Sequence, residues 1–322
     1  MKPYLINVSV AIIFFIRPDT LELTFAQIQK ARPSKLFLIQ DGPRQSKPED
    51  IEKVKECRKI IDAIDWECEV YRNYSEINQG CGNRTLSGLK WVFENVDRAI
   101  ILEDDCVADE SFFRFCAELL DKYENDTRIN MITGFNHLGI YEETSDSYFY
   151  GKTSPSTGWA TWRRCWDMFD TELTCIDDER LVKLLKRDIN NKSEARRLVR
   201  FFQDTRKKIK SKKKVGYWAG QWGINKYIYS GLVIISTKNM IKNIGVGPGA
   251  TYSGHSYELF SKRLKKIFFM DIYEMKFPLK HPKYMICDHY YDDEVKKLVF
   301  PNIIVLLFEK VIRRLKMKIF RY

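Results

Sequence analysis

A mostly parallel α/β sheet flanked by helices is the fold class this sequence predicts, and two observations predict it. Short apolar runs alternate with amphipathic runs of helical period through the first half of the chain. Acids, arginines and glycines then gather where the apolar runs end, which is where an open α/β sheet binds its ligands.

The strand-like runs are VSVAIIFFIR, KLFLIQ, WECEVYRN, RAIILE and INMITGF. Between them lie DTLELTFAQIQKA, PEDIEKVKECRKIIDAI, NRTLSGLKWVFEN and DESFFRFCAELLDKY, whose apolar residues recur at helical spacing. Asp19 or Thr20 is the expected start of the first helix, with Glu22 in its first turn, and Asp109 is the expected cap before ESFFRF. Strand, helix, strand in this order calls for parallel pairing with helices on both faces. The opening run stops at Arg17 without a small-residue cleavage site, so a buried first strand is expected there rather than a signal peptide.

The second half is less regular. GWATWRRCWDMF carries three tryptophans, and a long, highly charged helical region follows. YWAGQWGINKYIYSGLVIIS returns to aromatics and a strand. The basic run Arg206 to Lys214 reads as a solvated helix end or loop. The last stretch, FPNIIVLLFEKVIRRLKMKIFRY, sets Lys310, Arg313, Arg314, Lys316, Lys318 and Arg321 beside an apolar face. This basic amphipathic helix suits either an anionic membrane surface or the domain's own flank.

With 322 residues, 44% of them hydrophobic, the chain is globular and long enough for one large domain or two sharing an interface. The 54 Lys and Arg against 43 Asp and Glu favour anionic partners. No run reaches the roughly 20 apolar residues of a spanning helix. Eight cysteines show neither CxxC pairs nor zinc spacing, and are expected to be reduced thiols of a cytoplasmic protein.

In so basic a chain, the acids at the end of AIILEDDCV are conspicuous. Glu103, Asp104 and Asp105 repel one another unless a cation sits among them. A carboxylate cluster at a strand end can hold Mg2+ or Mn2+ while leaving positions to water and substrate phosphates. Such an ion stabilises a departing nucleoside diphosphate, whether from a nucleotide sugar or in nucleotidyl transfer. Arg17 closes the first strand and Asp41 the second, and NQGCGNR places Gly80, Gly82 and Arg84 before a helix whose N-terminus can face a phosphate.

Taken in order, FIRPDTLELTFAQIQKARPSKLFLIQDGPR, the segment from NQGCGNR to LLDKY, INMITGFN, GWATWRRCWDMFD, WAGQW and NIGVGPG resemble a GT-A fold glycosyltransferase. The resemblance spans roughly residues 10 to 250 and is nearest to bacterial nucleotide-sugar transferases of the haemolytic-protein type. It extends more distantly to the N-acetylglucosaminyltransferase that initiates complex N-glycans. It implies a Rossmann-like domain in two halves, 1–137 for the nucleotide sugar and 138–258 for the acceptor, followed by a 259–322 extension. It implies a metal-dependent transfer of a sugar from a nucleotide-diphosphate donor, uridine-linked, to a glycan or lipid-linked hydroxyl in polysaccharide biosynthesis; the basic C-terminal stretch adds the expectation of a cytoplasmic protein peripheral on the inner face of the membrane. By similarity Asp105 holds the Mn2+ or Mg2+, with Glu103 and Asp104 near the ribose and diphosphate, and Arg17 and Asp41 on the base and phosphate side. Trp159, Trp162, Gln221 and Trp222 would line the sugar and acceptor side, with ordinary core tryptophans as the competing reading. His255 would be a further metal or phosphate ligand, or a structural histidine.

One departure matters. The family places an acid in or beside the Trp-to-Trp motif as general base, and here that motif is Trp218-Ala219-Gly220-Gln221-Trp222. Glutamine takes no proton at neutral pH, so Asp177 and Asp178 are the nearest substitutes, with Glu142 or Glu143 behind them. Three other functions stay open. A sugar-phosphate nucleotidyltransferase would carry a glycine-rich loop where this chain has FIRPDT. A catalytically silent GT-A-like binding protein would tolerate the missing acid. A basic binding protein would use its lysines, yet no nucleic-acid module is recognisable and no nucleic-acid partner is expected.

Overall fold

The computed structural model describes residues 1–153, 155–189, 191–211, 218–246 and 259–319. In the first half, strands and helices alternate as β1 (Ile6–Phe14), α1 (Pro18–Ala31), β2 (Pro33–Gln40), α2 (Asp50–Ile61), β3 (Glu69–Tyr74), α3 (Cys81–Asn95) and β4 (Arg98–Glu103). A short β5 (Cys106–Ala108) and α4 (Glu110–Lys122) lead into β6 (Ile129–Thr133), β7 (Tyr148–Gly151) and β8 (Trp159–Trp162). There follow α5 (Arg163–Asp167), a 3-10 turn (Thr174–Asp177), α6 (Glu179–Asp188), α7 (Lys192–Lys210), α8 (Trp218–Trp222) and α9 (Asn225–Ile228). The chain continues through β9 (Leu232–Ser236), β10 (Ile241–Asn243), α10 (Lys262–Phe268), α11 (His289–Val299) and α12 (Ile303–Ile319).

Eight strands form one sheet in the order β3-β2-β1-β4-β8-β6-β9-β7. β3, β2, β1 and β4 are mutually parallel, and β6 and β9 are parallel to each other. β8 runs antiparallel between β4 and β6, and β7 closes the edge antiparallel to β9. The sheet is therefore the expected mostly parallel α/β array, and strands from both halves of the chain share it. A separate two-stranded ribbon pairs β10 with β5, directly after the acid triplet.

The local chemistry explains most of the boundaries. Proline at the first helical position starts α1, because its missing N–H needs no partner there; Arg17, rather than Asp19 or Thr20, is the cap residue. The Asp109 carboxylate caps α4 through the Ser111 N–H, as its sequence position predicts. Central β1 and β2 are buried along their C-terminal halves by Ile12, Phe14, Leu36 and Leu38, so α1 and α3 sit over a continuous apolar surface. The charged region after Asp178 breaks at Ile189, and Asn191 caps α7 through the Ser193 and Glu194 N–H groups. α6, α7 and the 3-10 turn share a small second core around Leu185, Val199 and Phe202.

β8 is the element that periodicity hides. Trp159-Ala160-Thr161-Trp162 is buried on both faces, so its side chains do not alternate between apolar and polar. Gly158 admits it: this residue has φ +62, and a Cβ there would sit 2.6 Å from the Ile241 side chain.

Candidate functional site

The carboxyl ends of β1, β2 and β4 lie side by side, and each carries a polar group singled out above. At the end of β4 the chain turns sharply through Glu103, Asp104 and Asp105 into the β5 ribbon. The Asp104 N–H donates to the Ile13 carbonyl at 2.9 Å, and its carboxylate accepts the Phe15 N–H at 3.1 Å, so this acid is tied to the end of β1. The Asp105 carboxylate takes the Arg17 guanidinium at 3.3 Å on one oxygen and the Asn243 amide at 3.3 Å on the other. Trp218, the first residue of α8, lies close enough to Glu103 to lower its pKa slightly against the raising effects of burial and its acidic neighbours.

Among the described residues Arg17 is the one cation paired with the three half-buried acids. Desolvation, then repulsion from Asp105 and Asp104, pushes Glu103 up to about 8. Desolvation and the Asp105 charge push Asp104 up to about 7. Desolvation also raises Asp105, against the opposing pull of Arg17. Desolvation and the charges of Glu103, Asp104 and Asp105 raise the thiol of Cys81, the first residue of α3, although that residue keeps an exposed surface. A helix N-terminus and one arginine therefore oppose three carboxylates.

Among the described residues the three carboxylates do not converge on one point, whereas Cys287, His289 and Asp292 do, so the triplet offers a cation Asp105 as its rim ligand rather than a closed three-acid cage. Its atoms are hard carboxylate oxygens, its charge is under-compensated, and Asp105 is only 16% exposed at the rim. The cradle is closed by Gly245: a Cβ on that residue would lie 1.8 Å from Asp105 Oδ2. The Ile244 N–H meanwhile bonds the Asp105 carbonyl at 2.8 Å. Asn243, Gly245 and Trp218 are site residues that motif reading missed. The run NIGVGPG held the signal for the first two, but only the β5 to β10 pairing places it against the triplet.

Other predicted site residues are committed elsewhere. Asp41, 5% exposed, accepts the N–H groups of Gly42, Gln79 and Gly80, each at 2.9 Å, and the Asn78 amide at 3.0 Å. It holds the loop entering α3 and leaves no lone pair directed at a ligand. Gly82 and Arg84 lie within the first turn of α3 instead of ahead of it. The Arg84 guanidinium is buried and donates to the Gln40 carbonyl and to Asn73, stitching β2 and β3 to the helix. The expectation that Asp41 and Arg84 present charge to a nucleotide is thereby corrected, because their hydrogen-bonding capacity is spent inside the fold.

Asp177 and Asp178 are also placed away from proton transfer. Arg206 and Lys210 both reach Asp177 at 3.0 Å, and these partners lower its pKa, the opposite of what a base requires. Asp178 caps α6 by accepting the Arg180 N–H at 2.7 Å. Glu142 and Glu143 are exposed between β6 and β7. His255 lies outside the described residues.

The tryptophans are core. Trp159 is fully buried and packs on Trp218 and Trp222, with ring centroids 5.8 and 5.3 Å away. Trp162 sends its indole N–H to the Leu120 carbonyl at 3.1 Å. Trp222 is buried between Trp166 and Phe169. These rings support the site from behind rather than offering faces to a sugar. Gln221 differs, because it lines an open cavity of about 690 Å³ between α3 and α5, together with Asn83, Ser87, Trp166 and Thr171. Its amide N–H donates to the Thr171 carbonyl, while its Oε1 is buried with no partner among the described residues. One turn of α8 thus has Trp218 on the acid triplet and Gln221 in the cavity.

All eight cysteines are free. Among the described residues no helix is long and apolar enough to cross a membrane.

No protein-family model matches this chain, and neither does any curated protein. Among solved structures, a cytidylyltransferase from Leptospira borgpetersenii serovar Hardjo-bovis aligns with a TM-score of 0.31 and 13% identity, over 52% of this chain and 64% of that one. At that distance the α/β class rests on the strand order itself, and the chemistry rests on the site.

Proposed function

We propose that this chain is a metal-dependent glycosyltransferase, moving a sugar from a nucleoside-diphosphate donor to a hydroxyl of a glycan or lipid-linked acceptor. The observation that carries the reading is the acid triplet at the end of β4, under-compensated by Arg17 and facing the start of α3. Asp105 would hold Mn2+ or Mg2+, with Glu103 and Asp104 shaping the nucleotide side. Bound there, the ion supplies Lewis-acid stabilisation of the departing diphosphate. Arg17 orients the Asp105 carboxylate and adds positive charge beside the leaving phosphates. Trp218, packed on Trp159, lies beside Glu103, and these rings exclude water from that flank. The cavity lined by Asn83, Ser87, Trp166 and Thr171 beside α8 is the space an acceptor would take, with Gln221 at its wall and the Gln221 Oε1 buried behind it.

Nucleotidyl transfer from a triphosphate is the less supported use of the same acids. Only Phe15, Ile16 and Arg17 separate β1 from α1, which leaves no glycine-rich loop to wrap a triphosphate.

Isothermal titration with UDP and GDP, with and without Mn2+, tests the reading. Binding of one nucleotide that needs the metal and disappears in Asp105→Ala is expected. Metal-independent binding, or binding unchanged by that substitution, would remove the basis of the proposal.

A further inference from the structure

The last helix carries a surface that the site above does not use. Among the described residues, the contacts of α12 with the body through Glu309 and Lys316 lie along one side. Glu309 takes a bidentate bond from Arg263 of α10, at 2.9 and 2.8 Å, and the Lys316 ammonium reaches the Phe260 carbonyl at 3.4 Å. Ile312 is half-buried on that same side. The fastening is thus polar, unlike the apolar seams under α1 and α4.

Most of the apolar residues face elsewhere, and Val305 and Leu306, 37% and 43% exposed, lie outside the stripe that these form. Ile304, Leu307, Phe308, Val311 and Leu315 are 72%, 55%, 65%, 52% and 55% exposed. Their spacing is i, i+3, i+4, i+7 and i+11, so at about 100° per residue they fall within an arc of about 100°. Glu309, Ile312 and Lys316 centre about 110° away from that stripe by the same geometry. The reading of α12 as a helix whose apolar face packs on its own domain is therefore excluded for the five stripe residues.

Cations border the stripe on its other side. Lys310 and Arg314 are exposed one turn apart there, while Lys262 and Lys266, also exposed, lie on α10 at the fastened side. An apolar stripe edged by cations matches a lipid surface with acidic headgroups: acyl chains accept the apolar side chains while phosphates meet the ammonium and guanidinium groups. A polyanion without an apolar layer would leave the stripe in water.

We infer that α12 is a membrane-docking helix, lying in the headgroup region of an anionic bilayer with the Ile304, Leu307, Phe308, Val311 and Leu315 stripe in the acyl boundary. The inference stands whether or not glycosyl transfer is the reaction, since it uses no residue of the acid site.

Co-sedimentation of the full chain with phosphatidylcholine vesicles, with and without about one third phosphatidylglycerol, tests it. Binding to the anionic vesicles at least tenfold above that to the neutral ones is expected. The double substitution Leu307→Glu and Val311→Glu should remove it, and Lys310→Glu with Arg314→Glu should erase the preference for anionic lipid. These side chains are exposed, and an unchanged thermal midpoint for each variant shows that the fold is intact. Absence of vesicle binding, or binding unaffected by Leu307→Glu and Val311→Glu, would overturn the inference. A stable dimer of the unmodified chain, lost in that variant and unable to bind vesicles, would assign the stripe to a second copy and overturn it equally.

Discussion

Two neighbouring strand ends make an instructive pair. β2 ends in Asp41 and β4 ends in Glu103 to Asp105, one strand apart in the same parallel array. Both offer carboxylates at the rim where such a fold binds ligands. Asp41 is saturated by three backbone N–H groups and one amide, all from its own chain. The triplet has one arginine, a few hydrogen bonds and three charges. Position at a strand end therefore does not identify a functional acid; the state of its hydrogen bonding and charge does.

The sharpest way to break this contrast is to truncate both acids. Asp41→Ala would strand the N–H groups of Gly42, Gln79 and Gly80, at a cost of about 3 kcal/mol or more. Asp105→Ala removes a repelling charge and should leave metal-free stability unchanged or raised, while abolishing metal-dependent nucleotide binding. Denaturant unfolding of the two variants decides the matter. Equal destabilisation would mean that the triplet is structural too.

A pH titration sharpens it further. Desolvation, then repulsion from the neighbouring acids, pushes Glu103 up to about 8 and likewise raises Asp104 above the usual carboxylate range. A group raised in this way contributes stability that is fully present below its unfolded pKa and is lost as pH rises through the folded value. Without metal, the thermal midpoint should fall from pH 5 to pH 8.5. Mn2+ should restore it at the upper end, and Asp105→Asn should flatten the slope. Differential scanning fluorimetry in EDTA and in Mn2+ measures all three.

The same contrast shows how far sequence reading reaches. The β1 to β4 alternation and the Asp109 cap were legible because their signals are local: apolar period and a carboxylate two residues before the N–H it accepts; the proline that starts α1 was passed over for Asp19 or Thr20. Asp41 was misread because its partners are backbone groups at Gln79 and Gly80, which no side-chain pattern announces. Arg206 and Lys210 neutralise Asp177 across the 3-10 turn and α7, a tertiary pairing that likewise escapes spacing rules. β8 was missed for a different reason: a strand buried on both faces and inserted antiparallel has no alternation and no sequence neighbour in the sheet. The triplet itself was legible, because a dense acid cluster after an apolar run is a local anomaly in charge.

Trp162 tests the reading of the tryptophans as support. Its ring is 2% exposed and its N–H bonds the Leu120 carbonyl. Trp162→Phe should cost about 1–2 kcal/mol, from the lost hydrogen bond and a small cavity. The affinity for nucleotide and metal should stay within about twofold, under 0.5 kcal/mol. A large loss of sugar-donor affinity with stability preserved would instead return this residue to the ligand side.

Gly245 carries the smallest expected change in stability and the most local one. Its Cα faces the Asp105 carboxylate so closely that a methyl group would overlap Oδ2 at 1.8 Å and Cγ at 2.7 Å. One of the two must move, and the carboxylate is the side-chain end, although Arg17 and Asn243 hold it. Gly245→Ala should therefore turn Asp105 away from the metal position with only a minor shift in thermal midpoint. A loss of about tenfold in Mn2+-dependent nucleotide affinity, about 1.4 kcal/mol, is expected by calorimetry. The same substitution placed on Asp105→Ala should change nothing further, because the clash and the ligand have both gone. Non-additivity of that kind would show that Gly245 acts through Asp105, whereas additive losses would place Gly245 in a separate contact with the nucleotide.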